Sequence, residues 1–185
     1  MVNIKIDDDL ELQLRKHEDA QAFFELTDRN RQYLRPWLPW VDAVQSVTDT
    51  EAYLKNCQSQ FEKGESLDLG ILYKGEWVGS VGLNGIDKGN RKAEIGYWLG
   101  EEAQGNGIIT RAVKALIDYG FEHLSLNKVF MRVATGNDKS VAIPRRLKFK
   151  EEGILRQNEW RYDHFKDDFI FGLLRSEWEA PKDHP

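Results

Sequence analysis

The stretch that most constrains this chain is Gln104-Gly105-Asn106-Gly107-Ile108-Ile109-Thr110, because of what lies on either side of it. Before it, Ala93 to Leu99 is rich in branched and aromatic residues, as a strand requires. After it, Ile109, Ala112, Val113, Leu116 and Gly120 recur at helical spacing in a run that ends near Phe121. Lys128 to Ala134 is β-rich again. Strand, helix and strand in this order predict a βαβ unit with parallel strands, and in such a unit a ligand lies in the crevice at the carboxyl ends of the strands. The two glycines let the backbone approach that ligand. The amides of the helix's first turn are unpaired and sit at the positive end of the dipole, which suits a pyrophosphate. An ordinary glycine-rich connection would carry the same two residues, so the rest of the chain has to decide.

Leu10 to Leu14 alternates as a strand, and Glu18 to Leu34 places Ala20, Phe23, Phe24, Thr27 and Leu34 at roughly helical spacing. In Tyr33 to Trp40 two prolines forbid a continuing helix, and Trp37 and Trp40 stand three apart; these indoles either wall a substrate cleft or pack on the core. A helix follows from about Thr50 to Phe61, opened by a capping box over Thr48 to Glu51. Leu67 to Tyr73, the Lys74-Gly75 turn and Trp77 to Leu83 read as an antiparallel hairpin, and Asp87 to Lys92 is a polar turn into the strand at Ala93. Beyond Ala134, Asn137, Asp138 and Ser140 can each cap a helix running to about Phe149. Pro144 favours Ser140 as the cap, since proline is tolerated only near a first turn. Leu155 to Tyr162 and Phe169 to Leu174 alternate as two strands around a turn at 163–168. Residues 1–179 thus read as a single domain and 180–185 as a mobile tail.

The net charge of −5 and the absence of a basic block argue against nucleic acid as the main partner, and an acidic body tolerates a cationic substrate such as an amine. No apolar run approaches the roughly 18 residues of a spanning helix, and the acidic, alternating start does not resemble a signal peptide. A lone Cys57 fits a reducing, cytoplasmic setting. Spaced with Leu54 and Phe61 on one helix face, it reads as a structural thiol rather than a nucleophile. No cluster of His, Cys, Asp and Glu has metal-ligand spacing, and a dinucleotide site would need a third glycine where Thr110 stands.

The order of elements resembles the GNAT superfamily of N-acetyltransferases over residues 8 to 176, with Gln104-Gly105-Asn106-Gly107 matching its pyrophosphate signature. Asn30-Arg31, Leu34-Arg35, Trp37-Leu38 and Trp40, together with Asn137 and Ser140, are most similar to the RimJ/RimL-type ribosomal-protein N-acetyltransferases. The resemblance implies an α+β fold: a mixed central sheet with a splayed pair of parallel strands, flanked by helices. It also implies acetyl-CoA as cosubstrate, held by Gln104 to Thr110 and by Asn137. Three positions depart from the family pattern. Ile109 replaces a small residue, Pro144 is unusual in its helix, and Lys148 stands where glycine takes a left-handed conformation, so that the helix is expected to end differently.

Amide formation needs a base for the ammonium proton, a donor for the oxyanion and an acid for the leaving thiolate. The resemblance points to Glu159 as the base, where an inward carboxylate beside Trp160 in a partly apolar cleft suits proton transfer near neutrality; Glu94 is the second candidate. The amide of Trp98 or Leu99 on the splayed strand is the oxyanion donor, and Ser140 is the acid. His17, His123 and His164 read as surface residues. The implied function is acetyl transfer to a primary amine in a ternary complex, the acceptor being the α-amine of a ribosomal protein. A polyamine or aminoglycoside acceptor, or a non-catalytic acyl-CoA sensor, are the alternatives. Trp37 and Trp40 fit peptides and small amines alike, and aromatics on the last strands offer a homodimer interface.

Overall fold

The computed structural model describes residues 2–179. In chain order these form β1 (Asn3–Lys5), β2 (Leu10–Leu14), α1 (Ala20–Arg29), α2 (Arg31–Leu34), α3 (Val47–Lys63), β3 (Leu67–Tyr73), β4 (Glu76–Asp87) and β5 (Lys92–Leu99). They continue with α4 (Ile108–Glu122), β6 (Lys128–Ala134), α5 (Asp138–Arg146), β7 (Lys150–Arg161), β8 (His164–Leu174) and α6 (Arg175–Trp178). One sheet runs β1-β2-β3-β4-β5-β6-β8-β7; every neighbouring pair is antiparallel except β5 with β6. The fold is therefore α+β, with the parallel pair in the middle of a mixed sheet. Among the described residues no helix is long and apolar enough to cross a membrane.

Strand alternation divides the sheet into two faces. Leu10, Leu12, Leu69, Ile71, Val81, Leu83, Ala93 and Ile95 point to one side and meet α4, which buries Ile108, Ile109, Ala112, Val113, Leu116, Ile117 and Phe121. Fully burying a side chain such as Leu116 is worth about 1.5–3 kcal/mol, so this interface dominates the core. Gly120 belongs to it because a Cβ there would come within 3.2 Å of Leu126. On the opposite face Gly70 leaves room for Phe23 of α1 and for Trp77; Asp68 meets α3 and Trp98 meets α1, and Ser80 and Glu94 share their face of the sheet.

Several local expectations are corrected. The helical run to Leu34 breaks at Asn30, whose side-chain amide donates to the Leu26 carbonyl while its oxygen accepts from Glu101 N–H at 2.8 Å. Helix α3 starts earlier than predicted because Ser46 and Asp49, not Thr48 and Glu51, form its capping box. The stretch 163–168 is mostly strand: β7 and β8 meet at a tight turn, with Arg161 opposite His164, and they carry a bulge between Leu155 and Glu159. Helix α5 is capped by Asn137, which accepts from Ser140 N–H at 3.1 Å, so Ser140 is not the cap and Pro144 lies well inside the helix. That helix stops at Arg146, and Lys148 takes the left-handed conformation (φ 65°) after all, while Phe149 N–H returns to the Pro144 carbonyl. Strand β1 was not anticipated, and the tail at 180–185 lies outside the described residues.

Candidate active site

Strands β5 and β6 pair only from Lys92–Lys128 to Glu94–Phe130; beyond Glu94 they part. A cleft of about 1990 Å³ opens there and runs from the glycine loop to α2 and β7. Every candidate residue named from the sequence lines it except Asn106. Asn106 holds the loop instead, its amide donating to the carbonyls of Ala103 and Gln104.

At the loop end, Gly105 (φ 80°) and Gly107 (φ 66°) adopt left-handed conformations that a side chain resists, and a Cβ on either would project into open space. Helix α4 begins directly after Gly107, so its first amides face the cleft. Ile109 packs into the core under the loop, which shows how the departure from a small residue is accommodated. Gln104 accepts from Lys139 Nζ at 2.9 Å through Oε1, while its Nε2 is buried without a partner among the described residues. An orphaned buried donor costs about 1–3 kcal/mol. Together with Lys139 and with Arg146, which donates to Thr110 Oγ1 at 2.9 Å, it makes this end of the cleft a fitting cradle for phosphate oxygens.

In the middle lies the free edge of β5. Gly100 N–H donates to Val78 on β4, and by alternation Trp98 N–H points the same way, which leaves Leu99 N–H facing the opening. Across the opening, Ser140 Oγ lies 2.9 Å from the hydroxyl of Tyr97, and the same hydroxyl donates to the Ser140 carbonyl at 3.1 Å. Pro144 has no N–H for that carbonyl, so Tyr97 replaces the missing helical bond. Burial pushes the Tyr97 phenol up to about 12, against the opposing pull of the Ser140 hydrogen bond.

At the far end Glu159 is one-third exposed and pairs through Oε2 with Arg161, a buried guanidinium that also donates to the Pro36 carbonyl at 2.8 Å. The expected apolar partner is absent: Trp160 turns to the outer face and stacks edge-on against Phe165. Glu94 has both oxygens engaged by Arg132, at 2.8 and 2.9 Å. Trp40 meets Trp98 edge-to-face with centroids 5.9 Å apart, and Trp37 is half-buried, so both indoles wall the cleft. Cys57 packs against Asp68; burial, then that carboxylate, push its thiol up to about 11.

Tyr97, Arg132 and Arg161 escaped the sequence reading. Two of them left a trace. A phenol on the same strand face as Ala93 and Ile95 needs a partner when buried, and Glu159 and Arg161, two apart on a strand, must share a face.

This geometry has close parallels. Residues 9–150 match the Acetyltransferase (GNAT) domain. YdaF of Bacillus subtilis is 37% identical over 183 residues, covering 98% of this chain and all of that protein. The ribosomal-protein-serine acetyltransferase of Escherichia coli is 31% identical over 171 residues, 92% of this chain and 96% of its own. The solved structure of RimL, a ribosomal L7/L12 alpha-N-protein acetyltransferase in complex with coenzyme A, superposes with a TM-score of 0.92 at 25% identity, covering 95% of this chain and 99% of that one. A parted parallel pair beside a glycine loop, in a chain so similar throughout to N-acetyltransferases, establishes that this protein belongs to the GNAT family of acetyltransferases.

Proposed function

We propose that the protein transfers the acetyl group of acetyl-CoA to a primary amine, the N-terminal α-amine of a protein, by direct attack in a ternary complex. The observation that carries this is the unpaired edge of β5 beyond Glu94, open between an anion cradle on one side and a carboxylate on the other. An extended pantetheine arm fits such an edge as a substitute strand. The relatives named for ribosomal-protein acetylation, and the coenzyme A bound to RimL, support the donor and the acceptor class. Residues 1–179 act as one catalytic unit in this reading.

The roles follow from which atoms are free. Among the described residues Glu159 Oε1 has no protein donor, whereas both oxygens of Glu94 are taken by Arg132, so Glu159 accepts the ammonium proton. Leu99 N–H, aimed into the opening, stabilises the developing oxyanion. Ser140 is released from capping by Asn137 and, held in place by the Tyr97 hydroxyl, donates its proton to the departing thiolate; it is reprotonated by the second proton that the amine nitrogen sheds as the tetrahedral intermediate collapses. Gln104, Lys139 and the first amides of α4 hold the pyrophosphate. No enzyme nucleophile is needed.

Incubation with labelled acetyl-CoA and N-terminal peptides tests the whole. Acceptor-dependent release of CoA thiol is expected, with intersecting initial-rate plots. Glu159→Gln should lower kcat by roughly 100- to 10,000-fold, the range of general-base catalysis, and remove the acidic limb of the pH–rate profile. An unchanged profile would rule out Glu159 as the base, and tight CoA binding with no thiol release from any acceptor would overturn the transferase reading.

A further inference from the structure

One polar cluster on the acceptor face of the cleft has no part in the chemistry above. Arg15 and Thr50 are each more than nine-tenths buried, both line the cleft, and Arg15 Nε and Thr50 Oγ1 have no hydrogen-bond partner among the described residues. Their neighbour Asp68 is saturated. One oxygen accepts from Arg15 Nη2 and from Ser80 Oγ at 3.2 Å, the other from Tyr53 OH at 2.6 Å. Burial works against the Arg15 charge, yet the adjacent Asp68 carboxylate holds its pKa above the ordinary guanidinium value. The guanidinium therefore stays charged, stacked over Phe23 and Tyr53, and among the described residues only its Nη2 finds a hydrogen-bond partner. Thr50 and Tyr53 lie one turn apart on α3, so the Thr50 hydroxyl shares the helix face that meets this cluster.

Unpaired buried donors are costly, and what satisfies them is an acceptor oxygen. A polyamine in its cationic form offers only donors; a peptide offers a carbonyl at every residue. The place also fits. Asp68 on β3 stands opposite Gly82 on β4 and, through it, opposite Gly96 on β5, two strands or about 10 Å across the sheet from the free edge of β5. An extended tripeptide spans about that distance.

We propose that Arg15 and Thr50 form a subsite for a carbonyl or carboxylate oxygen near the third residue of a peptide acceptor, and that this subsite selects peptide amines over polyamines. The inference rests on the acetyl-transfer reading of the same cleft. Arg15→Ala would strand Asp68 as a buried unpaired charge and unfold the site, so the deciding variant is Thr50→Val, which keeps the shape and removes a hydroxyl that has no partner in the free protein. Three acceptors are compared: an alanine tripeptide amide, the same tripeptide as the free acid, and an α,ω-diaminoalkane of matching span.

Thr50→Val is expected to lower the ratio of tripeptide to diamine kcat/KM roughly five-fold, the effect of one neutral hydrogen bond, with CoA affinity and Tm not reduced. Arg15→Lys, which keeps a charge opposite Asp68 but lacks the Nε–H, should lower the same ratio. A better response to the acid than to the amide identifies a carboxylate ligand; equal responses identify a carbonyl. An unaltered ratio in both variants overturns the subsite. If the wild type releases no thiol with any acceptor, the transferase reading fails, and calorimetric titration of the tripeptide into the CoA-bound protein still judges the subsite. Roughly five-fold weaker binding by Thr50→Val supports it; equal binding overturns it.

Discussion

The hydroxyl of Tyr97 lies 2.9 Å from Ser140 Oγ and donates to the Ser140 carbonyl at 3.1 Å, a carbonyl that Pro144 leaves without its helical donor. A residue on the central strand thus repairs a defect in α5 and, through the 2.9 Å contact of its oxygen, holds in place the hydroxyl proposed to protonate the leaving thiolate.

Tyr97→Phe should therefore cost about 1–3 kcal/mol, the penalty for a buried carbonyl left unpaired. In a Pro144→Ala background the cost should be smaller, because residue 144 regains an N–H for the Ser140 carbonyl. Urea unfolding of the two single variants and the double variant measures the coupling. Equal costs in both backgrounds would show that Tyr97 does not stand in for the missing helical bond.

Gly107 makes the loop prediction sharp. At φ 66° an added side chain is strained, and its Cβ would stand in open space at the start of α4, where the phosphate oxygens are placed. Gly107→Val should weaken CoA binding at least ten-fold by calorimetry, about 1.4 kcal/mol, while the protein remains folded. Unchanged affinity would move the pyrophosphate elsewhere.

Local patterning made much of this architecture legible. Leu67 to Tyr73 and Lys128 to Ala134 were delimited as they stand, and the α4 stripe and the glycine loop placed the crevice. What escaped depended on partners distant in sequence. The helix through Leu34 breaks because Asn30 reaches Glu101, and Pro144 sits deep in α5 because Tyr97, 43 residues before Ser140, supplies the donor that the Ser140 carbonyl lacks. The turn expected at 163–168 became strand because Lys166 pairs with Glu159 across a bulge. The setting of Glu159 differs from the expected one for a simpler reason: alternation sends Trp160 outward and brings Arg161 alongside.

The Cys57 thiol, pushed up to about 11 by burial and by Asp68, should resist alkylation. At pH 8 its thiolate fraction is about 100-fold below that of a thiol two units lower, so native labelling by iodoacetamide should lag the urea-unfolded chain by roughly that factor. The sign for stability follows. The folded pKa lies above the unfolded one, so the native state keeps a proton that the unfolded chain sheds above about pH 9. Tyr97, held at about 12, acts in the same direction from about pH 10. Stability should fall as pH rises through 9 to 12, and Cys57→Ala should flatten the first part of that decline. A denaturation midpoint that is flat over this range in the wild type would contradict the assigned directions.

Lys148 closes α5 in a left-handed conformation, φ 65°, that costs an L-residue about 1 kcal/mol and glycine almost nothing. Its N–H bonds the Arg145 carbonyl and the next N–H bonds Pro144, so the backbone needs this conformation whatever the side chain. Lys148→Gly should accordingly stabilise the protein by about 0.5–1 kcal/mol, part of the relief being lost to the greater freedom of glycine in the unfolded chain. For a chain of 185 residues that corresponds to a rise in Tm of about 1–4 °C. Lys148→Ala, which keeps a Cβ, should give none of it. Equal Tm values for the glycine and alanine variants would show that the helix end carries no strain and that the exposed ammonium, not the backbone, sets the stability of this turn.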